Sequence, residues 1–271
     1  MFKERIRKEA TPERVFELCK IVASEKEIES SKLKEIIEPK EFATETTYYG
    51  TIKNAAIELG LIEEREYLLS FIQDKKVIKN IDEFRLYCNS VLFEDSSTEF
   101  YRLCRGFLDA GGEWLRHISI TTDENARRVS EFSDYPVLDL QKTLIPAVRF
   151  WISFLGFGYI SEIPKVKMVF IPNAYIAVKD FVILAKLEKG REYSITEFLD
   201  ALPNGISVAT SNARKDKTFN LAMSNALRQL HDMKEIQLKR HMDSAERWTL
   251  YENKSHEFQS EITHLVFKGV K

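Results

Sequence analysis

One kind of junction constrains this chain more than any other feature. Three times an apolar run at helical spacing ends near a leucine and gives way, within a few residues, to a short extended run. The three stretches are Glu58-Leu59-Gly60-Leu61-Ile62, Phe154-Leu155-Gly156-Phe157-Gly158 and Gln229-Leu230-His231-Asp232-Met233. A change of period from 3.6 to 2 requires a helix that hands over to a strand with almost no loop. Glycine in the first two supplies a left-handed residue to end the helix; the third has none. Gly (10) and Pro (7) are scarce in 271 residues, which argues against a turn-rich all-β fold.

The residues around these junctions fill in three units. In the first, Thr11-Pro12 reads as an N-cap with proline at the first helical position. Val15, Leu18, Cys19 and Val22 then make one apolar face. Ser30 or Ser31 caps a short second helix with Leu33, Ile36 and Ile37 inward. A third helix covers Glu45 to Leu59, with Ile52, Ala55, Ala56 and Leu59 on one side. Leu61-Ile62 begins a strand, and Tyr67 to Phe71 is its return. The last unit has a helix over Asn173 to Lys189 and the capping box Ser194-Ile195-Thr196-Glu197. A further helix carries Phe219, Ala222, Met223, Ala226, Leu227 and Leu230. Ile236 to Leu238 is a strand, His241 to Glu246 its polar tip, and Trp248 to Tyr251 its expected return.

A middle unit is sketched by Leu144, Ile145, Val148, Trp151, Ile152 and Leu155, with Tyr159-Ile160 and Val166 to Ile171 as a hairpin. Pro146 belongs to the first turn of that helix or to a kink. Two helices precede it. One carries Ile81, Phe84, Cys88 and Val91; the other opens on Ser96-Ser97-Thr98-Glu99, carries Phe100, Leu103, Cys104, Phe107 and Leu108, and ends at Gly111-Gly112. The chain therefore divides into an acidic unit at 1–75, a helical linker region at 76–135, a middle unit at 136–172 and a unit with a basic stripe at 173–271.

The run Ala55-Ala56-Ile57-Glu58-Leu59-Gly60-Leu61-Ile62 resembles the recognition-helix-to-wing junction of winged-helix proteins. The tandem arrangement resembles the accessory subunits of SMC-type complexes, such as the bacterial MukE and ScpB families. It is also similar to small accessory proteins of prokaryotic antiphage defence operons. The likeness covers most of the chain as a pattern of elements. It implies a mainly α fold: tandem winged helix-turn-helix units with small antiparallel β wings and a helical linker region. It further implies a subunit of a DNA-handling machine whose ATPase or nuclease is another chain.

Charge separates the end units. Duplex affinity comes mainly from Lys and Arg near phosphates. Thr11 to Phe71 holds 8 basic and 13 acidic residues, and its wing carries Glu63, Glu64 and Glu66. That unit reads as a protein-binding one. Asn212 to Arg240 holds 7 basic and 3 acidic residues. Lys217, Asn220, Ser224 and Arg228 fall at i, i+3, i+7 and i+11, a polar stripe of the kind a recognition helix shows. Arg214 and Lys215 precede it, and Lys239, Arg240 and His241 occupy the wing. These nine residues are the candidate DNA contacts; the alternative is a solvated helix face.

Catalytic patterns are missing. There is no GxxxxGK[ST] loop, no GxSxG elbow, and Gly156-Phe157-Gly158 lacks a third glycine and a following helix. The five histidines show no zinc-protease spacing and read as surface or edge residues. Asp243, Glu252 and Lys254 suggest a metal-dependent nuclease only weakly, because Glu252 and Lys254 fall just beyond a wing. Cys19, Cys88 and Cys104 include no CxxC, so neither a disulfide framework nor a zinc module is expected, and a reducing cytoplasm fits. The charged start MFKERIRKEA has no apolar core of a secretory leader, and no stretch is long enough to span a membrane. The expected function is a non-enzymatic accessory or adaptor subunit without cofactor or metal. Its partners would be other protein subunits, an SMC-like ATPase or a nuclease, with double-stranded DNA as a further partner. A winged-helix transcriptional regulator is the alternative.

Overall fold

The structure is a computed structural model that describes residues 7–41, 48–111, 127, 130–133, 144–163 and 166–270. Helix dominates, and the sheets are small and antiparallel. No helix among the described residues is long and apolar enough to cross a membrane.

The first end unit runs α1 (Pro12–Ser24), β1 (Ile28–Glu29), α2 (Ser30–Ile37), α3 (Tyr48–Glu58), β2 (Ile62–Arg65) and β3 (Leu68–Phe71). Thr11 caps α1, accepting from Arg14 N, with Pro12 in the first turn as expected. Val15, Leu18, Cys19 and Val22 are all fully buried. Two expectations need adjustment here. Ile36 is exposed rather than inward, leaving Leu33 as the buried residue of α2. The described part of α3 begins at Tyr48, and residues 42–47 lie outside the described residues. The strands stand in the order β1-β3-β2, and β2 turns into β3 through Glu66 and Tyr67, with φ of 48° and 67°. Two successive left-handed residues give the tight hairpin turn whose twist suits the strands it joins.

The middle segment has α4 (Ile81–Val91), α5 (Glu99–Asp109), α6 (Leu144–Phe154) and the hairpin β4 (Gly158–Ile163) and β5 (Val166–Pro172). Thr98, not Ser96, caps α5, through Tyr101 N. The hairpin of the middle unit is present; residues 136–143, where that unit was expected to begin, lie outside the described residues.

The last unit runs α7 (Tyr175–Ala185), β6 (Glu192–Ser194), α8 (Ile195–Ala201), α9 (Ser207–Thr210), α10 (Ala213–Asp216), α11 (Leu221–Asp232), β7 (Ile236–Lys239), β8 (Trp248–Thr249), β9 (Glu261–Ile262) and β10 (His264–Phe267). The Ser194–Glu197 capping box forms with both reciprocal bonds. α7 is shorter than its pattern, stopped by Lys186 at φ 52°. The expected wing is corrected. β7 pairs with β10, Leu238 opposite Leu265 and Ile236 opposite Phe267, and not with Trp248 to Tyr251. This register sends four apolar side chains inward together. Trp248 instead stacks on Phe219 at 5.0 Å, and β8 pairs with β9.

The three junctions share one backbone motif. Leu61 N bonds to Ala56 O and Gly60 N to Ile57 O; Phe157 N bonds to Ile152 O and Gly156 N to Ser153 O. This paired 6→1 and 5→2 closure needs a left-handed residue, and Gly60 and Gly156 supply it at φ 66° and 83°. In α11, Glu235 N bonds to Leu230 O and Lys234 N to His231 O, with Lys234 at φ 60° in the glycine's place. The third junction thus lies a few residues later than its leucine suggested.

The elements share one hydrophobic core. Phe84 of α4 contacts Phe16 of α1 and Phe154 of α6. Trp151 donates to Ala10 O at 2.8 Å. Arg85 meets buried Asp180 of α7 at 2.8 Å, while Asn89 donates to both Asp180 and Leu155 O. Burial pushes the Asp180 carboxyl up, against the pull of Arg85 and then of Asn89. All three cysteines are free thiols and buried. Burial holds Cys19 up at about 12, so it serves packing rather than nucleophilic chemistry.

Candidate nucleic-acid interface

α11 is the helix that the sequence marks as a groove reader. Asn220 caps it, accepting from Met223 N at 3.0 Å. Leu221, Ala222, Met223, Ala226, Leu227 and Leu230 are buried in the core as the spacing predicts. The middle of the opposite face, at Ser224 and Arg228, does not meet water. Residues 240–263 fold back over it, and the polar stripe is their anchor.

Ser224 is fully buried and accepts from Tyr251 N at 2.8 Å. Arg228 is 4% exposed. Its Nε donates to Phe258 O at 3.0 Å, and its Nη2 donates to Tyr251 O and Gln259 O, each at 2.8 Å. A guanidinium offers five fixed donors and no acceptor. Three converging carbonyls satisfy it well enough to leave water, although burial lowers its proton affinity. Asn220 spends its amide on Asp109 Oδ1 and Ala209 O, which ties α11 to α5 and α9. Burial raises the Asp109 carboxyl, and Asn220 opposes that rise. Of the stripe, only Lys217 is exposed. It ends α10 in a left-handed conformation and pairs with Glu246 at 2.8 Å.

The flanking cations reach the surface but stand beside acids. Arg214 meets Asp200 at 2.5 Å, and Arg240 meets Glu261 at 2.7 Å. Lys239 and His241 both meet Glu192 of β6. The Lys239 ammonium and then the His241 imidazole hold the Glu192 carboxyl down at about 2. Lys217 and then Thr196 likewise lower Glu246. Lys215 is exposed. The positive balance read along residues 212–240 is therefore offset in space by Glu192, Asp200, Glu246 and Glu261, which lie outside the acids of that window or too far along to be paired by spacing.

The other candidates are placed as plainly. Lys254 and Glu252 stand 3.9 Å apart and well exposed on the loop between β8 and β9, in no strand. In the first end unit, Lys53 of α3 is held by Glu64 of β2 at 2.6 Å, and Tyr67 at the hairpin tip is 81% exposed. Two groupings escaped sequence reading because their members are remote in the chain: the anchor of Arg228, and the meeting of Glu192, His241 and His264 on one sheet face. The alternation of Glu192-Tyr193-Ser194 in β6 was the one signal for the second.

No curated protein and no solved structure matches the chain. A family model described as DpdG-like matches residues 6–244, from ahead of α1 to the loop beyond β7. That span is well over half of the sequence, and on it the chain belongs to the DpdG-like family.

Proposed function

We propose that this protein is a non-enzymatic adaptor subunit of a prokaryotic antiphage defence system that modifies DNA, and that it acts by binding partner proteins. Family membership supports the defence setting, since DpdG is part of a phage-defence DNA modification system. The two end units are read as winged helices. The order α-β-α-α-β-β with the third strand central supports this in the first, and the strand order β6-β10-β7 supports it in the last.

The single observation behind the adaptor reading is the cover over α11. A winged helix that reads sequence lays its recognition helix in the major groove. Here Ser224 and Arg228 bind the protein's own backbone, and the neighbouring cations are paired with carboxylates. That arrangement favours a scaffold over the transcriptional regulator. The exposed Tyr67 and Leu68 beside Glu63, Glu64 and Glu66 offer the aromatic and acidic character of a protein contact.

The test has two arms. Anisotropy of a labelled random duplex, at low and physiological salt, should show no steep salt-dependent binding. Co-expression with the other proteins of a DNA-modifying defence system should give a stable complex on size exclusion, weakened by Tyr67→Ala. Tight duplex binding that falls with salt and is lost in Arg214→Glu/Lys215→Glu would sink the adaptor reading and restore DNA contact.

A further inference from the structure

We propose that Glu192, His241 and His264 form a binding site for a divalent transition-metal ion of the zinc class, at the stem of the segment that covers α11. One ligand atom from each of the three lies within 4.8 Å of the others. The sheet register creates this meeting. Glu192 is opposite Val266 and His264 is opposite both Ser194 and Lys239, so Glu192, His264 and Lys239 share the outer face. His241 lies two residues beyond Lys239 and joins them, its ring 4.7 Å from that of His264.

The donor chemistry fits. Two imidazoles and a carboxylate are the ligand set of many zinc and related sites, with bonds of about 2.1 Å that put ligand atoms roughly 3.4 Å apart. Closing from within 4.8 Å to that spacing would take rotation of the side chains. His241 Nε2 already faces Glu192 Oε1 at 2.6 Å, so the ion would take the place of the proton they share.

The Thr263 hydroxyl stands 3.0 Å from His264 Nδ1 and 3.3 Å from Lys239 O, and it accepts from His241 N at 2.9 Å. In the tautomer whose Nδ1 donates to that hydroxyl, the His264 Nε2 lone pair is turned to a metal. A second-sphere oxygen that fixes an imidazole in this way is a regular companion of metal-ligating histidine. Lys239 opposes metal binding, since its ammonium competes for Glu192.

His241 and His264 bracket residues 242–263, the bulk of the cover. Metal there would fasten both ends of it to β6. The three ligands leave at least one coordination position for water.

The experiment is titration of the metal-free full-length chain with Co²⁺, followed by its visible d–d absorption, and with Zn²⁺ by calorimetry. One site per chain is expected. His241→Ala, His264→Ala and Glu192→Gln should each weaken it by more than about tenfold. Lys239→Met should tighten it, a gain that no unfolded variant can mimic. Circular dichroism of each metal-free variant checks folding. Proteolysis within residues 242–263 should slow on adding metal. Absence of saturable binding to the folded wild type, binding indifferent to both histidine variants, or no tightening in Lys239→Met would each overturn the proposal.

Discussion

The two end units carry the same strand order but close their sheets differently. In the first, Arg65 is opposite Leu68 and two residues turn the chain. In the last, Lys239 is opposite His264 in the same relation, yet residues 240–263 stand where Glu66 and Tyr67 stand in the first. The strand register is fixed by which side chains must point inward. The connection at its open end is not, because it lies beyond the last pair and costs the sheet nothing. What differs is therefore the surface. The first unit leaves a short acidic tip. The last one spends its tip on covering its own helix.

The strongest way to break this comparison is to make the two alike. Replacing residues 240–263 by Asn-Gly should preserve the β7–β10 register but remove the burial of Trp248, Leu250 and Ile262. At about 2 kcal/mol for each buried side chain, the loss is about 6 kcal/mol, read by urea denaturation. A variant as stable as the parent would show the cover to be an appendage. Arg228→Ala is the next test. It takes the guanidinium donors from the Phe258, Tyr251 and Gln259 carbonyls, of which Gln259 O keeps Asn253 N, and should cost about 3 kcal/mol, with new protease cleavage inside 240–263. Unchanged proteolysis would refute the anchor.

The first unit offers a smaller, opposite effect. Glu66 and Tyr67 both sit at positive φ, which burdens side chains bearing Cβ. Asn-Gly in their place should raise stability by about 1 kcal/mol, visible as a higher melting temperature. The smallest effect is one of pH. Glu246 titrates lower in the folded chain than in the unfolded one because of Lys217 and Thr196. Its contribution is complete above the ordinary glutamate range and is lost as pH falls through that range and below it. The group is part-exposed, so only tenths of a kcal/mol are involved. Glu246→Gln should flatten that part of the stability–pH profile; an identical profile would remove the Lys217 pair from the account.

These effects also explain what was legible in the sequence. Thr11-Pro12, the Ser194–Glu197 box and the apolar face of α11 act through neighbours within a turn or two, so spacing alone reveals them. The burial of the polar face of α11 was not legible because helical periodicity assumes that polar residues meet water. Ser224 and Arg228 meet backbone carbonyl and amide groups from more than twenty residues away. The partner of β7 was missed for a related reason: Trp248 to Tyr251 alternates as well as His264 to Phe267 does, and it is nearer. The third junction hid because Lys234 adopts a conformation that sequence assigns to glycine. The candidate metal cluster draws its ligands from both ends of that long connection and from β6, a combination no linear motif records.

The position of β10 has a consequence for how the chain is made. It stands between β6 and β7 in the sheet but follows both in the sequence. In the first unit the central strand leaves the ribosome two residues after its neighbour, and the sheet closes at once. In the last, β6 and β7 emerge with their facing edges unfilled, and all of residues 240–263 must be synthesised before His264 to Phe267 can fill the gap. Translation that pauses within that interval presents two open strand edges to other nascent chains, the kind of surface from which intermolecular pairing begins.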